Sequence, residues 1–114
     1  MNIKDLLEQL STTPRIVEFA DVMACIDANY LFTPSAFRNG ELSNAEGENN
    51  GSCKIFAFAK LHSLDKQQTL NCFGDYYRQD VLQDPDGDSH QNIRNFIQSG
   101  WPGISFESDP LKAK

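Results

Sequence analysis

The sequence predicts a mostly helical α+β fold, in which about five helices pack around a small two-stranded antiparallel β ribbon. Apolar residues recur at three- and four-residue intervals through most of the chain, as they do in amphipathic helices. Two short segments, about residues 32–38 and 103–107, instead have extended or alternating character. With 114 residues the chain is long enough for one domain, so residues 1–114 are predicted to form a single domain.

The first two helices are predicted within the N-terminal 29 residues. Four apolar residues fall on one helical face: Ile3, Leu6, Leu7 and Leu10. Asn2 is of the type that caps a helix N-terminus. Thr13 and Pro14 favour the N-cap and first position of a second helix, which is predicted to run to about Asn29.

The next segments are predicted to be extended and then irregular. Pro34 lies within the first extended segment, where proline indicates an edge strand or a bend. Residues 39–51 include three Gly and four Asn with almost no apolar side chain. This composition predicts a long polar surface loop, and loops of this length are often functional.

Two more helices are predicted in the centre of the chain. Residues 52–64 have an ambiguous period, but their length and alanines favour a buried helix over a strand. Asp65 and Gln68 have the spacing of a capping box, which predicts a helix from about residue 66 to residue 82.

The C-terminal part is predicted to contain one helix and the second strand of the ribbon. Asp88 and Gln91 again have capping-box spacing, and Gly100 is a suitable helix terminator. The alternation in residues 104–107 predicts a short strand that pairs with residues 32–38. The polar tail from about residue 108 is expected to fray.

Charge and hydropathy exclude several classes of partner. Ten Lys and Arg against 16 Asp and Glu give a net charge of −6, which argues against nucleic-acid binding by bulk charge. No apolar run approaches the roughly 18–20 residues needed to span a bilayer, so no membrane insertion is expected. The expected partner is a protein, and the expected state is a monomer.

The cysteines indicate a reducing compartment. Cys25, Cys53 and Cys72 form an odd set without paired spacing, which is typical of buried thiols in cytoplasmic proteins. The acidic residues in the N-terminal apolar pattern also argue against a cleaved secretory signal. The predicted location is the cytoplasm of the producing cell, and later export that reads an uncleaved signal stays open.

No metal or other cofactor is predicted. The acidic segment 84–88 resembles part of a calcium loop, but with Gly87 at the sixth position Leu82 and Ile93 would occupy the first and twelfth, where carboxylates are required. The histidines and cysteines lack close ligand pairs. An acidic turn with a helix cap is the better interpretation of residues 84–88.

Enzymatic activity is left open, although binding is favoured over catalysis. Cys53 is a weak candidate nucleophile, because a predicted cap at Ser52 would place it where a helix dipole lowers the thiol pKa. His90 is a weak candidate for the accompanying base. No complete set of nucleophile, base and orienting group emerges from the sequence.

Two groups of polar and aromatic residues are candidate binding residues. Tyr76 and Arg78 lie in a dense polar–aromatic segment and could recognise a planar or anionic partner. The start of the last helix and the residues after the first strand could form a polar pocket, for which a solvated surface is the simpler alternative. The candidates for that pocket are Arg38, Asn39, Glu41, His90, Asn92 and Arg94.

Several segments together resemble the HopJ family of type III effector proteins. They cover almost the whole chain and are VEFAD (17–21), IDANY (26–30), FTP (32–34), FRNGEL (37–42), GSCKIFAFA (51–59), CFGDYYR (72–78), HQNIR (90–94) and GW (100–101). The resemblance implies a protein delivered into a host cell by type III secretion, with a host protein as its partner. It supplies no settled enzymatic activity, cofactor or catalytic residue. The alternative is a non-secreted cytosolic domain with a ligand or enzymatic pocket around Arg38, His90 and Arg94, or with Cys53 as nucleophile.

Overall fold

Five α-helices are the main elements of the computed structural model, which describes residues 1–114. They are α1 (Ile3–Thr12), α2 (Phe19–Asn29), α3 (Asn50–Leu61), α4 (Lys66–Asn71) and α5 (Gln91–Ser99). The predicted caps of the first and fourth helices are present, since Asn2 accepts from the Asp5 N–H and Asp65 forms a reciprocal capping box with Gln68. Together with small antiparallel sheets, these helices confirm the mostly helical α+β fold.

Two predicted helices are each divided in the structure. The segment expected to run from Thr13 to Asn29 begins with a 3-10 turn at Pro14–Ile16 and resumes only at Phe19. The segment expected to span residues 66–82 is interrupted at Gly74, whose φ of +60° is not helical, and continues as a π-helical turn at Tyr76–Val81. Apolar spacing alone does not reveal such breaks, because the apolar stripe continues across them.

The β structure is a longer ribbon than the predicted one. Strand β2 (Phe37–Asn39) pairs antiparallel with β4 (Ile104–Phe106), as expected, and β1 (Tyr30–Phe32) pairs with β5 (Leu111–Ala113). The two strand pairs have the same register, because the step from Phe32 to Phe37 on one side matches the step from Leu111 back to Phe106 on the other. The two strand pairs are therefore parts of one ribbon that Pro34 interrupts, because proline lacks the N–H that a continuous ladder needs.

Around Pro34 the inward-facing side chains of the ribbon change from even-numbered to odd-numbered residues. Before it, the Thr33 N–H donates to the carbonyl of Pro110, whereas after it the Glu107 N–H donates to the carbonyl of Ala36. Before Pro34, an odd-numbered residue of this strand is thus hydrogen-bonded to the partner strand, and after Pro34 an even-numbered residue is. Because the alternation shifts by one residue, Phe32 before the proline and Phe37 after it lie on the same inward face, where Phe32 is half-buried and Phe37 is fully buried.

The predicted long loop and frayed tail are both partly wrong. Within residues 39–51, strand β3 (Leu42–Asn44) folds back on β2 through a tight turn in which Gly40 has a φ of +62°. In the tail, Pro110 and Leu111 are buried and β5 is paired. Backbone pairing orders both segments, and their polar composition gave little sign of it.

Aromatic rings form the centre of the core. Phe56 of α3 is fully buried and lies 4.9 Å from Phe96 and 5.6 Å from Phe73, measured between ring centroids. Phe37 from the ribbon and Trp101 meet the same ring. Helix α3 is thus the central element of the core. Its bounds, Asn50–Leu61, confirm the helical interpretation of residues 52–64. None of the helices has the length and apolarity required to cross a bilayer.

Burial makes His62 a source of pH-dependent stability. Its Nε2 atom lies 2.7 Å from the Tyr30 hydroxyl, and desolvation lowers its pKa from the ordinary 6.5. The unfolded chain therefore takes up this proton first as the pH falls. We expect His62 to favour the folded state fully above pH 6.5 and progressively less below it. Urea unfolding from pH 8 to pH 5 should show a smaller loss of stability for His62→Gln than for the wild type, and equal losses would contradict the assignment.

Candidate functional site

A surface cleft of about 410 Å³ lies between the starts of α3 and α5. Asn49, Gly51 and Ser52 contribute from the first helix, and residues 90–93 contribute from the second. Apolar rings and side chains line its interior: Phe19, Leu42, Phe73, Tyr76 and Ile93. The lining contains no Asp or Glu, although the chain is strongly acidic.

Three aromatic rings form a row along this cleft, which we call the aromatic row: Phe19, Tyr76 and His90. The Phe19 and Tyr76 rings meet edge to face with centroids 5.1 Å apart, and the Tyr76 and His90 rings are also 5.1 Å apart. Tyr76 is 44% exposed even so. It is therefore an accessible ring whose position is set by its two neighbours.

Glycine allows the elements of this row to approach one another closely. A Cβ on Gly74 would lie 2.7 Å from the backbone nitrogen of Phe19, in addition to the strain of its positive φ. A Cβ on Gly51 would lie 3.0 Å from the Phe19 ring. The break at Gly74 thus brings the Tyr76 turn against the start of α2 and places two of the three rings.

His90 occupies the N-cap position of α5 with a φ of +52°. Its Nε2 atom lies 3.0 Å from Oδ2 of Asp80 in the π-helical turn. The ring is thus held both by a carboxylate and by stacking on Tyr76. No three His, Cys, Asp or Glu side chains in the structure form a group suited to a metal ion.

Two of the predicted binding residues, Asn39 and Asn92, belong to a buried amide network. Asn92 and Asn44 exchange reciprocal side-chain hydrogen bonds of 3.0 and 3.1 Å, and Asn39 Nδ2 donates to the Asn92 carbonyl at 2.7 Å. Asn49 Nδ2 donates to Asn44 Oδ1 at 2.7 Å. Asn39 is fully buried, so the structure gives it a packing role below the cleft in place of direct contact with a ligand.

Arg78 is not the exposed recognition residue that the sequence suggested. Its guanidinium donates to the backbone carbonyls of Pro14 and Val17 and to Oδ1 of Asn71. Only 17% of the side chain is exposed, and the nearest contact with Asp75 is a distant 3.8 Å. The arginine thus bonds to backbone carbonyls at the start of the 3-10 turn at Pro14–Ile16 and just after its end, which explains its burial.

The other predicted pocket residues do not meet in one place. Arg94 donates to the carbonyls of Ser89 and Asp84 and so holds the acidic turn. Arg38 lies on the exposed face of β2, and Glu41 lies in the hairpin turn. Neither arginine lines the cleft, so a pocket shared by Arg38, His90 and Arg94 is not formed.

The position of Cys53 is also different from the expected one. Helix α3 begins at Asn50, with Asn49 as N-cap, so Cys53 lies deeper in the helix than a cap at Ser52 would place it. The thiol is 1% exposed, and burial raises its pKa from the ordinary 9.0. The expected lowering of the pKa by the helix N-terminus is therefore wrong.

We expect all three thiols to react slowly in the folded protein. Cys25, Cys53 and Cys72 are buried, and burial raises the pKa of Cys72 to about 12. At pH 6, Cys53 should react with iodoacetamide at least ~10-fold more slowly than a free thiol, because little thiolate is present and access is blocked. Mass spectrometry of the native and urea-unfolded chain measures this rate. A rate above that of a free thiol would restore the nucleophile hypothesis.

Comparison with protein-family models identifies the family to which the chain belongs. A family model described as HopJ type III effector protein matches residues 3–111. The chain belongs to the HopJ family. The match includes every residue of the aromatic row and of the amide network, so these features lie within the HopJ domain.

One solved HopJ-like structure is described only as a protein of unknown function, VPA0580. The two sequences are 54% identical, the alignment covers 100% of this chain and 95% of that one, and the TM-score is 0.98. A search of curated proteins gives no match. The HopJ fold of this chain is thus shared with the crystal structure of a protein of unknown function.

Sequence reasoning did not identify several residues of the cleft. The sequence predicts Asn49 in a surface loop and Ser52 as a helix cap, and it indicates no binding role for Phe19. The useful signals were the two glycines at residues 51 and 74 beside aromatic residues, because glycine often marks a close approach of chain segments. His90, Tyr76 and Asn92 are the predicted residues that do line the cleft.

Proposed function

We propose that this HopJ-family protein is a type III secreted effector that acts by binding a partner protein through the aromatic row. The observation that supports the binding surface is Tyr76, an exposed ring held in place by Phe19 and His90. Tyrosines of this kind contribute large contact area at small entropic cost and are enriched in interface hot spots. Delivery by type III secretion rests on the family match.

A test of the binding surface compares two exposed side chains. Tyr76→Ala should reduce partner binding at least ~30-fold, the loss typical of a hot-spot tyrosine, and leave the fold intact. Leu61→Ala is the matched control, since Leu61 is 57% exposed on another part of the surface. Both variants are used to capture partners from host extract and from the bacterial cytoplasm, and the affinity of each partner is then measured. Equal binding by both variants would contradict the proposal.

The secretion part has its own experiment. The full chain carrying an enzymatic reporter is expressed in a type III-competent strain and in the same strain without the secretion ATPase. We expect ATPase-dependent release of the reporter. Retention in both strains would exclude the effector function but leave the aromatic row as a binding surface in a cytosolic protein.

A small-ligand site in the same cleft is the second candidate function. The cleft volume of about 410 Å³ lies within the roughly 300–1,000 Å³ of typical ligand pockets. The His90–Asp80 pair at 3.0 Å could orient the imidazole toward such a ligand. A screen of small anions and aromatic acids by thermal shift tests it, with His90→Gln expected to remove any stabilisation that the wild type shows.

A further inference from the structure

Tyr76 and Phe19 also form the wall of a second groove on the other side of the aromatic row. This groove has a volume of about 490 Å³ and is lined by Glu18, Phe19, Ala20, Asp75, Tyr76 and Asp80. Half of these residues are acidic, whereas the first cleft has no acidic residue in its lining. The aromatic row thus separates two grooves of different charge.

The carboxylates of this acidic groove are largely free to meet a cation. The Asp75 side chain is 79% exposed, and its contact with Arg78 is 3.8 Å long. That arginine already donates to three protein oxygens. Glu18 makes no capping hydrogen bond with the helix it precedes. Asp80 is the exception, since it holds His90.

The geometry favours an extended cation over a metal ion. No group of three acidic side chains here is close enough to coordinate one ion. A guanidinium instead has five donors spread over a plane, matches separated carboxylates and packs on aromatic rings. It would also gain a cation–π contact with the ring of Phe19 or Tyr76.

From this charge complementarity we propose that the acidic groove binds an arginine side chain of the partner protein. The inference rests on the proposed function, because it names the chemistry of the segment that docks on the aromatic row. The arginine lies between the Glu18 and Asp75 carboxylates and against the Phe19–Tyr76 pair. The residues next to it in the partner then continue across Tyr76 into the first cleft.

The experiment uses a defined probe, the peptide acetyl-Gly-Arg-Gly-Arg-Gly-amide, and its analogue with citrulline in place of each arginine. Backbone amide shifts of the full chain should move in a saturable way at Glu18, Ala20, Asp75 and Tyr76 with the arginine peptide. Citrulline has the same shape without the charge, so that peptide should bind at least ~5-fold more weakly.

Paired charge variants make the test specific to the groove. Glu18→Gln with Asp75→Asn should weaken arginine-peptide binding ~5-fold or more. Glu46→Gln with Asp86→Asn is the control, because it removes the same charge from exposed residues outside the groove and should change binding less than ~2-fold. Absence of saturable shifts, equal binding of citrulline, or equal losses in both variants would overturn the proposal. If Tyr76→Ala abolishes partner binding and the groove variant does not, only the arginine assignment fails.

Discussion

Phe56→Ala is expected to destabilise the folded protein by about 3–5 kcal/mol, the typical cost of removing a buried aromatic ring. Phe56 is fully buried on the central helix and contacts the rings of Phe37, Phe73, Phe96 and Trp101. These rings come from four different elements, so no single element can move to fill the space. Urea unfolding followed by circular dichroism gives the free energy of unfolding.

A half-buried phenylalanine provides the comparison for this variant. Phe32→Ala removes a ring that contacts the ammonium of Lys54 at 5.0 Å and is partly exposed. Phe32→Ala should lower the free energy of unfolding by about 1–2 kcal/mol, because a smaller part of the Phe32 ring is buried in the folded protein. Similar losses for the two variants would show that Phe56 is not the centre of the core.

Asn92→Ala should destabilise the protein by about 2–3 kcal/mol, more than a typical polar surface substitution. The side chain exchanges two hydrogen bonds with Asn44 and accepts a third from Asn39. Removing the Asn92 side chain leaves amide groups of Asn39 and Asn44 buried with fewer hydrogen-bond partners. Water does not reach these buried groups to replace the lost hydrogen bonds. The free energy of unfolding is again the measured quantity.

Gln98→Ala is the matched control for Asn92→Ala, because Gln98 is an exposed amide on the same helix. Its effect should lie within about 0.5 kcal/mol of zero. The comparison also separates two roles for Asn92. If Asn92 only contacted a ligand, Asn92→Ala would lower ligand affinity and leave the free energy of unfolding unchanged. That result would contradict a structural role for the amide network.

Much of the fold could be predicted from the sequence, because apolar spacing and caps act locally. The α1 cap at Asn2 and the capping box at Asp65 are both present. The break near Val17 was not predictable, because it depends on contacts between distant segments, whereas Gly74 was a local sign of the second break. Arg78 stabilises the first break through carbonyls more than 60 residues earlier in the chain, which no local pattern records.

The candidate site was only partly predictable, for a related reason. Tyr76 and His90 were recognisable as polar aromatic residues, and the structure places their rings in contact. Polar composition alone could not separate Asn39 and Asn92, which are buried in the network, from Arg38 and Glu41, which are solvated. Side-chain burial depends on tertiary packing, and the sequence has no local marker for it.

The ribbon that joins β1 and β2 to β4 and β5 has a consequence for biosynthesis. Its two sides are far apart in the chain, at residues 30–39 and 104–113, and the outermost strand pair is Tyr30 with Ala113. Residues 104–113 must therefore leave the ribosome before this ribbon can close, while α1, α2 and α3 are made much earlier. Pairing of such distant segments also adds loop-closure entropy, which slows folding. We expect the nascent chain to hold its early helices without the ribbon until residues 104–113 have been made.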